Sequence, residues 1–203
     1  MSLCRSLAAF LPLAFSACID LAQAAPAKER YLLSARRPAV TPSPAGAPVL
    51  LVQTFAVAPA FSGRAFVVRT GAATYESDYY HEFFVTPADA VTAVAERWLT
   101  DCGLFAGVVR PGSPLAANWR LEVDVRQLCF DLSEPAKPRA VVELWAYLVV
   151  EGTEVGRVKL SRGFSATEPA RSTAATDLVQ ALDQAIAKCL ASLETALAEQ
   201  LRG

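Results

Sequence analysis

The side chain in this sequence best placed for a covalent reaction is the thiol of Cys18. It follows an apolar run, residues 7–15, and the small residues Ser16 and Ala17, with a basic start at Arg5. That order reads as an export signal cut just before Cys18, whose thiol then takes lipid. The run is too short to span a bilayer, which needs ~20 apolar residues. A second reading cuts after Ala22-Gln23-Ala24 and leaves an unlipidated chain, with Asp20 between the apolar core and the cut. The physical consequences differ: buried acyl chains contribute ~0.8 kcal/mol per methylene, and more than one chain gives durable anchoring.

Elsewhere, groups that could catalyse do not converge in sequence. His81 is the sole histidine, so it cannot serve both a triad and a metal site. No phosphate-cradling G-x-x-x-x-G-K loop, G-x-S-x-G elbow or H-E-x-x-H pair occurs. Glu122 and Asp124 share one strand face with Arg120 and Arg126, a solvated charge ladder. Cys102 as a nucleophile lacks a base that the sequence can point to. The expectation is a protein that is not an enzyme, with no cofactor and no metal. With Cys4 lost with the signal and Cys18 lipidated, Cys102, Cys129 and Cys189 remain. They form at most one disulfide, or stand as three buried thiols.

One segment differs in kind. Residues 66–84 carry Phe66, Tyr75, Tyr79, Tyr80, Phe83 and Phe84, with Arg69, Glu76, Asp78, His81 and Glu82 interleaved. Such mixing on extended chain suits a recognition edge or an oligomer contact. Candidate contact residues are Arg69, Tyr75, Tyr79, Tyr80, His81 and Phe83. Period two puts Tyr75, Tyr79, His81 and Phe83 on one face, with Glu76, Asp78, Tyr80, Glu82 and Phe84 on the other. The plainer alternative is that alternate aromatics pack beneath helices.

The elements that must position these residues can be read from pattern. The 203 residues are 53% hydrophobic and 19% charged, with a formal net charge of −1. No basic excess exists to neutralise phosphates, so nucleic acid is not an expected partner. Residues 18–30 are Ala-rich and read as a tether, and 31–33 as a short strand. Four prolines between 38 and 48 mark an exposed connection. Residues 48–57 form a continuous apolar run, read as one central strand buried on both faces. Extended pieces follow at 65–70 and 74–84.

Thr86 then caps a helix beginning at Pro87, with Asp89 in its first turn and Gly103 at its stop. Residues 104–109 read as a strand. Residues 118–131 alternate until the phase changes near Gln127, which predicts a bulge. Residues 139–150 and 155–164 continue as antiparallel strands, and a helix over 173–201 carries a leucine stripe. This order predicts one α/β domain: a three-layer sandwich with a mixed, partly antiparallel sheet and two main helices.

These residues resemble a family. The chain is similar to the ABC-type transport auxiliary lipoproteins, the PqiC-like proteins of Gram-negative envelopes. The likeness runs from Cys18 through Tyr31-Leu32-Leu33, a strand within 49–57, and Phe66-Val67-Val68-Arg69. It continues through Tyr75, Tyr79-Tyr80 and Phe84-Val85-Thr86-Pro87 to a helix ending in Gly103-Leu104-Phe105. Val68 stands where the family often has Tyr, and Phe84 where it often has Trp. The resemblance divides the chain into a signal (1–17), a lipidated tether (18–30) and a transport auxiliary domain (31–203). It implies partners in an MCE-domain protein and an ABC transporter permease and ATPase, moving lipids between membranes. A homo-oligomer is a further expectation. Ile19 follows the lipid cysteine where an Asp would resemble a signal for inner-membrane retention, so by that resemblance the destination is the outer membrane, inner leaflet, facing the periplasm. Two other functions fit the same residues: a carrier binding an apolar ligand between sheet and helices, or a structural envelope lipoprotein.

Overall fold

The chain is described by a computed structural model over residues 27–152 and 157–202. The signal segment, Cys18 and the alternative cut after Ala24 lie outside the described residues.

In chain order the elements are β1 (Glu29–Tyr31), β2 (Val49–Val52), β3 (Ala56–Val57), β4 (Ala65–Arg69), β5 (Tyr75–Phe83) and α1 (Pro87–Asp101). Then come β6 (Gly107–Val109), β7 (Trp119–Asp131), β8 (Arg139–Val150), β9 (Val158–Pro169) and α2 (Ala175–Arg202). The result is an α/β sandwich as expected, among the described residues a mixed, open sheet of nine strands with two main helices. Because both helices lie on one sheet face, its layers number two rather than three.

The long strand β7 is its spine. On one edge it pairs antiparallel with β8, which pairs antiparallel with β9. On the other edge three short strands lie end to end and parallel to it: β2, then β3, then β4. Beyond them the sheet forks, with β6 beside β2 at one end, and β5 followed by β1 beside β4 at the other. The bulge predicted near Gln127 is present: register shifts between Val125 and Gln127, and Arg126 is exposed. Leu121, Val123 and Val125, then Leu128 and Phe130, therefore all face the core.

The run 48–57 is not one strand buried on both faces. Leu50 and Val52 are buried, while Val49 and Leu51 are only partly covered. The run also splits, because five residues (Val52 to Ala56) span the length of four on β7 (Leu121 to Asp124). The extra residue turns the Phe55 amide out of the ladder, where Thr92 Oγ1 in α1 accepts its hydrogen bond at 2.9 Å. A buried amide without a partner costs ~1–3 kcal/mol. Thr92→Val should therefore lower unfolding free energy by about 2 kcal/mol in urea titration, and Thr92→Ser should retain most of it. Equal stability of Thr92→Val and the parent would refute this role.

Thr86 caps α1 as predicted, accepting from Asp89 N, with Pro87 first in the helix. Both helices share one sheet face and touch each other, with the Trp98 indole donating to Glu194 at 2.8 Å. Residues 32–48 cross them as an extended strap. Its Ser34 and Ala35 amides donate to Asp183 Oδ1 at 2.8 and 3.0 Å, and Thr41 N donates to Asp101 O at 2.8 Å. Gly103 adopts φ +76°, and a Cβ there would sit 2.8 Å from Thr41 O, so the strap passes only over glycine.

Cys102, Cys129 and Cys189 are buried and free, so no disulfide links them. They occupy separate places: the end of α1, the helix-distal face of β7, and the core face of α2. Burial raises the pKa of each thiol, that of Cys189 to about 12. A thiol reagent at pH 8 should thus label none of the three in the native protein and all three in denaturant. Rapid native labelling, or fewer than three after unfolding without reductant, would contradict this arrangement.

Candidate functional site

The aromatic segment lies at the fork formed by β1, β5 and β4. Between Ala65↔Glu82 and Val67↔Ser77 the ladder opens, with Asp78 to His81 on β5 facing Phe66 alone. Asp78 drives the opening. Its Oδ1 accepts from Tyr80 N at 2.8 Å and His81 N at 3.1 Å, while Oδ2 meets His81 Nδ1 at 2.6 Å. Aspartate bonding its own backbone two and three residues on is the local alternative to a ladder. Burial opposes ionisation of Asp78, but the His81 contact and the two amides prevail and lower its pKa.

This opening overturns the strict alternation expected for residues 75–84. Tyr79 and Tyr80 both turn outward, their rings edge to face at 5.2 Å. His81 folds back, its ring stacked on Phe66 at 6.1 Å and near Tyr31 at 6.1 Å. Phe83 is buried and packs on Phe66 at 4.8 Å, so it is a core residue rather than a surface contact. Phe66 also meets Phe130 at 4.9 Å, joining this fork to the spine. Tyr31, partly covered, has its pKa raised to about 12 by burial and by the neighbouring Glu29.

Tyr75 is exposed and leans on Phe61 at 6.2 Å. Arg69 is held inward by Asp131, which is 1% exposed. Arg139 Nε joins the same carboxylate at 2.8 Å, and Ser133 Oγ at 2.7 Å. Of the six candidate contacts, then, Tyr75, Tyr79 and Tyr80 present surface, while Arg69, His81 and Phe83 brace it from within.

Four neighbours, Lys28, Leu32, Glu82 and Phe84, were not among the candidate contacts read from the sequence. Lys28 lies over the Tyr79 ring with Nζ 4.9 Å from its centre. Leu32 and Phe84 are exposed side by side, since Phe84 N donates to Tyr31 O at 2.8 Å. Glu82, nearly buried, gathers Lys28 at 3.5 Å, Arg30 at 2.9 Å and Arg64 at 2.8 Å. Arg30's hydrogen bond outweighs burial, and Arg64 and Lys28 add attraction, so the carboxyl pKa is lowered. Asp78 placed three residues before His81 was the one local signal for the turn.

The Asp78–His81 pair is clipped against Phe66 and Tyr31. Glu122 is paired with Arg120, whose Nε also reaches Glu151 at 2.6 Å, as expected of a charge ladder. Among the described residues no His, Cys, Asp and Glu gather as a metal site would require. No helix among them is long and apolar enough to cross a membrane. The hollow between α1 and β2, about 350 Å³, is edged by Asp89, Glu96 and Arg110 together with Val52, Val85 and Pro111.

The sequence model of a family, ABC-type transport auxiliary lipoprotein component, matches residues 31–194. The crystal structure of protein XCC0632 from Xanthomonas campestris is similar in fold: TM-score 0.72, 24% identity, covering 85% of this chain and 96% of that one. A second solved structure, of an uncharacterised protein, gives TM-score 0.67 at 17% identity, covering 84% of this chain and 99% of that one. No curated protein is significantly similar to the chain.

Proposed function

The chain belongs to the ABC-type transport auxiliary lipoprotein component family, and on that premise we propose that it is a membrane-anchored docking subunit of a lipid-moving ABC system. In this reading Cys18 carries lipid in the inner leaflet of the outer membrane, and the domain faces the periplasm. The protein performs no chemical step, and energy comes from the transporter's ATPase. It holds the periplasmic MCE-domain subunit in register with the membrane.

The family match over residues 31–194 carries the reading. Two features of the fold support it. The chain enters the domain at β1, an edge strand, so a tether from Cys18 would hold the sheet by its rim. The sheet face away from the helices presents Arg126 on the Trp145 ring at 4.2 Å, beside the Arg120–Glu122–Glu151 ladder. An aromatic with paired charges around it is a common make-up for a protein contact.

Pull-down of the lipidated protein from detergent-solubilised envelopes tests the reading. Co-recovery of an MCE-domain protein with a permease and ATPase is the expected result. Recovery of none of these, with acyl lipid retained one to one by the purified protein, would establish a carrier instead.

A further inference from the structure

We propose that the outward side of the β1–β5 edge rests in the headgroup layer of an anionic phospholipid bilayer, the one that holds Cys18 in the reading above. The inference rests on that reading for its anchor, and on the geometry of the edge for its contact.

Register fixes which side chains share this side. Arg30 pairs with Glu82 and Tyr31 with Phe83. Tyr31 and Phe83 point to the core, so Arg30, Leu32, Glu82 and Phe84 point away from it. The Asp78 turn adds Tyr79 and Tyr80 at the end of the edge nearest Lys28. Leu32 is 62% exposed, Tyr79 69% and Phe84 54%, and nothing among the described residues covers them. Their chemistry is that of an interface rather than of a bilayer interior. Tyrosine with an apolar ring and a wet hydroxyl settles at headgroup depth, and single leucine and phenylalanine side chains reach the acyl boundary.

The charges point the same way. On the outward side Lys28, Arg30 and Arg64 surround one carboxylate, Glu82, and that side keeps a positive excess, since Glu29 is engaged by the Tyr31 hydroxyl and Asp78 by His81. Basic groups at a bilayer surface attract anionic headgroups. Position completes the argument. Lys28 lies ten residues after Cys18. Ten residues reach at most ~36 Å when fully extended and about 17 Å on average as a flexible coil. A lipid on Cys18 therefore keeps this edge close to the bilayer, where even a weak contact is populated.

The test uses the full lipidated chain in vesicles of phosphatidylethanolamine and phosphatidylglycerol with brominated acyl chains. Flotation with the vesicles reports the anchor. Quenching of a tryptophan reports the contact, placed either by Tyr79→Trp or, on the far edge of the sheet, by Val158→Trp. The expected result is flotation of both variants, with at least twofold more quenching of the added tryptophan at position 79 than at 158. Exchange of phosphatidylglycerol for phosphatidylcholine should reduce the quenching at 79.

Flotation with equal quenching at both positions would overturn the contact and leave the anchor standing. Quenching at 79 indifferent to lipid charge would overturn the anionic assignment. Self-association in detergent that Tyr79→Ser abolishes, without quenching at 79, would give the edge to a second copy instead. Failure to float would overturn the anchor and this proposal with it.

Discussion

Cys18→Ala is expected to move essentially all of the protein from the envelope's membrane fraction to its soluble fraction. The thiol is the sole attachment atom in the anchored reading, and its loss removes every acyl chain at once. One myristoyl chain gives only marginal binding, on the order of 10⁴ M⁻¹, so durable attachment depends on the full modification. The Leu32–Tyr79–Phe84 edge would remain, but without a tether its contact falls back to weak association, screened by salt. Fractionation should therefore include a high-salt wash. Circular dichroism and thermal unfolding of the variant should match the parent, since every residue of the buried core, from Leu33 to Leu197, lies well beyond Cys18 in the chain. A variant that stays with membranes after the wash would refute lipidation at this position. Mass spectrometry of the mature N-terminus gives the same answer independently.

Asp131→Asn is expected to cost about 3 kcal/mol of stability, on the scale of breaking a buried ion pair. Asp131 receives Arg69, Arg139 Nε at 2.8 Å, and the Ser133 amide and hydroxyl at 3.1 and 2.7 Å. An asparagine keeps the shape but turns one acceptor into a donor facing guanidinium donors. The site also lies where β4 joins the spine through only two register pairs, Val68↔Phe130 and Arg69↔Asp131. Loosening it loosens the fork that carries Tyr75, Tyr79 and Tyr80. For a chain of this size the change corresponds to a drop in Tm of roughly 6–12 °C.

The pH dependence follows from the same contacts. Burial by itself would raise the pKa of Asp131, but Arg69, Ser133 and Arg139 overcome it and hold the carboxyl far below the usual carboxylate range. A carboxyl lowered on folding stabilises fully above its unfolded pKa, ~3.9, and the stabilisation is lost as pH falls toward the folded value. The gap between parent and Asp131→Asn should therefore be constant from pH 7 to about 5 and shrink below pH 4. A gap that widens on acidification would contradict the assignment.

Much of this protein was legible locally. Thr86, Pro87 and Asp89 announced the start of α1, and its apolar spacing announced the face that packs. The change of phase at Gln127 announced the bulge in β7, because a shifted alternation has no other way to keep Leu128 and Phe130 inside. The stripe from Leu178 to Leu197 announced α2. Each signal lies within one element, where side-chain period and backbone geometry are coupled directly.

Other features depended on partners far along the chain. That residues 48–57 split was settled by Thr92, which accepts the Phe55 amide and so makes leaving the ladder affordable in hydrogen bonds. Which aromatics face out was settled by Asp78, whose side chain competes with the strand ladder for the amides of Tyr80 and His81. That competition is won only because Phe66 stacks His81 and packs Phe83 inward. Composition and period told what the segment was made of, an aromatic edge with charges between. Its direction is a property of pairing across the sheet, since a ladder that opens by a few residues resets which side every later side chain takes.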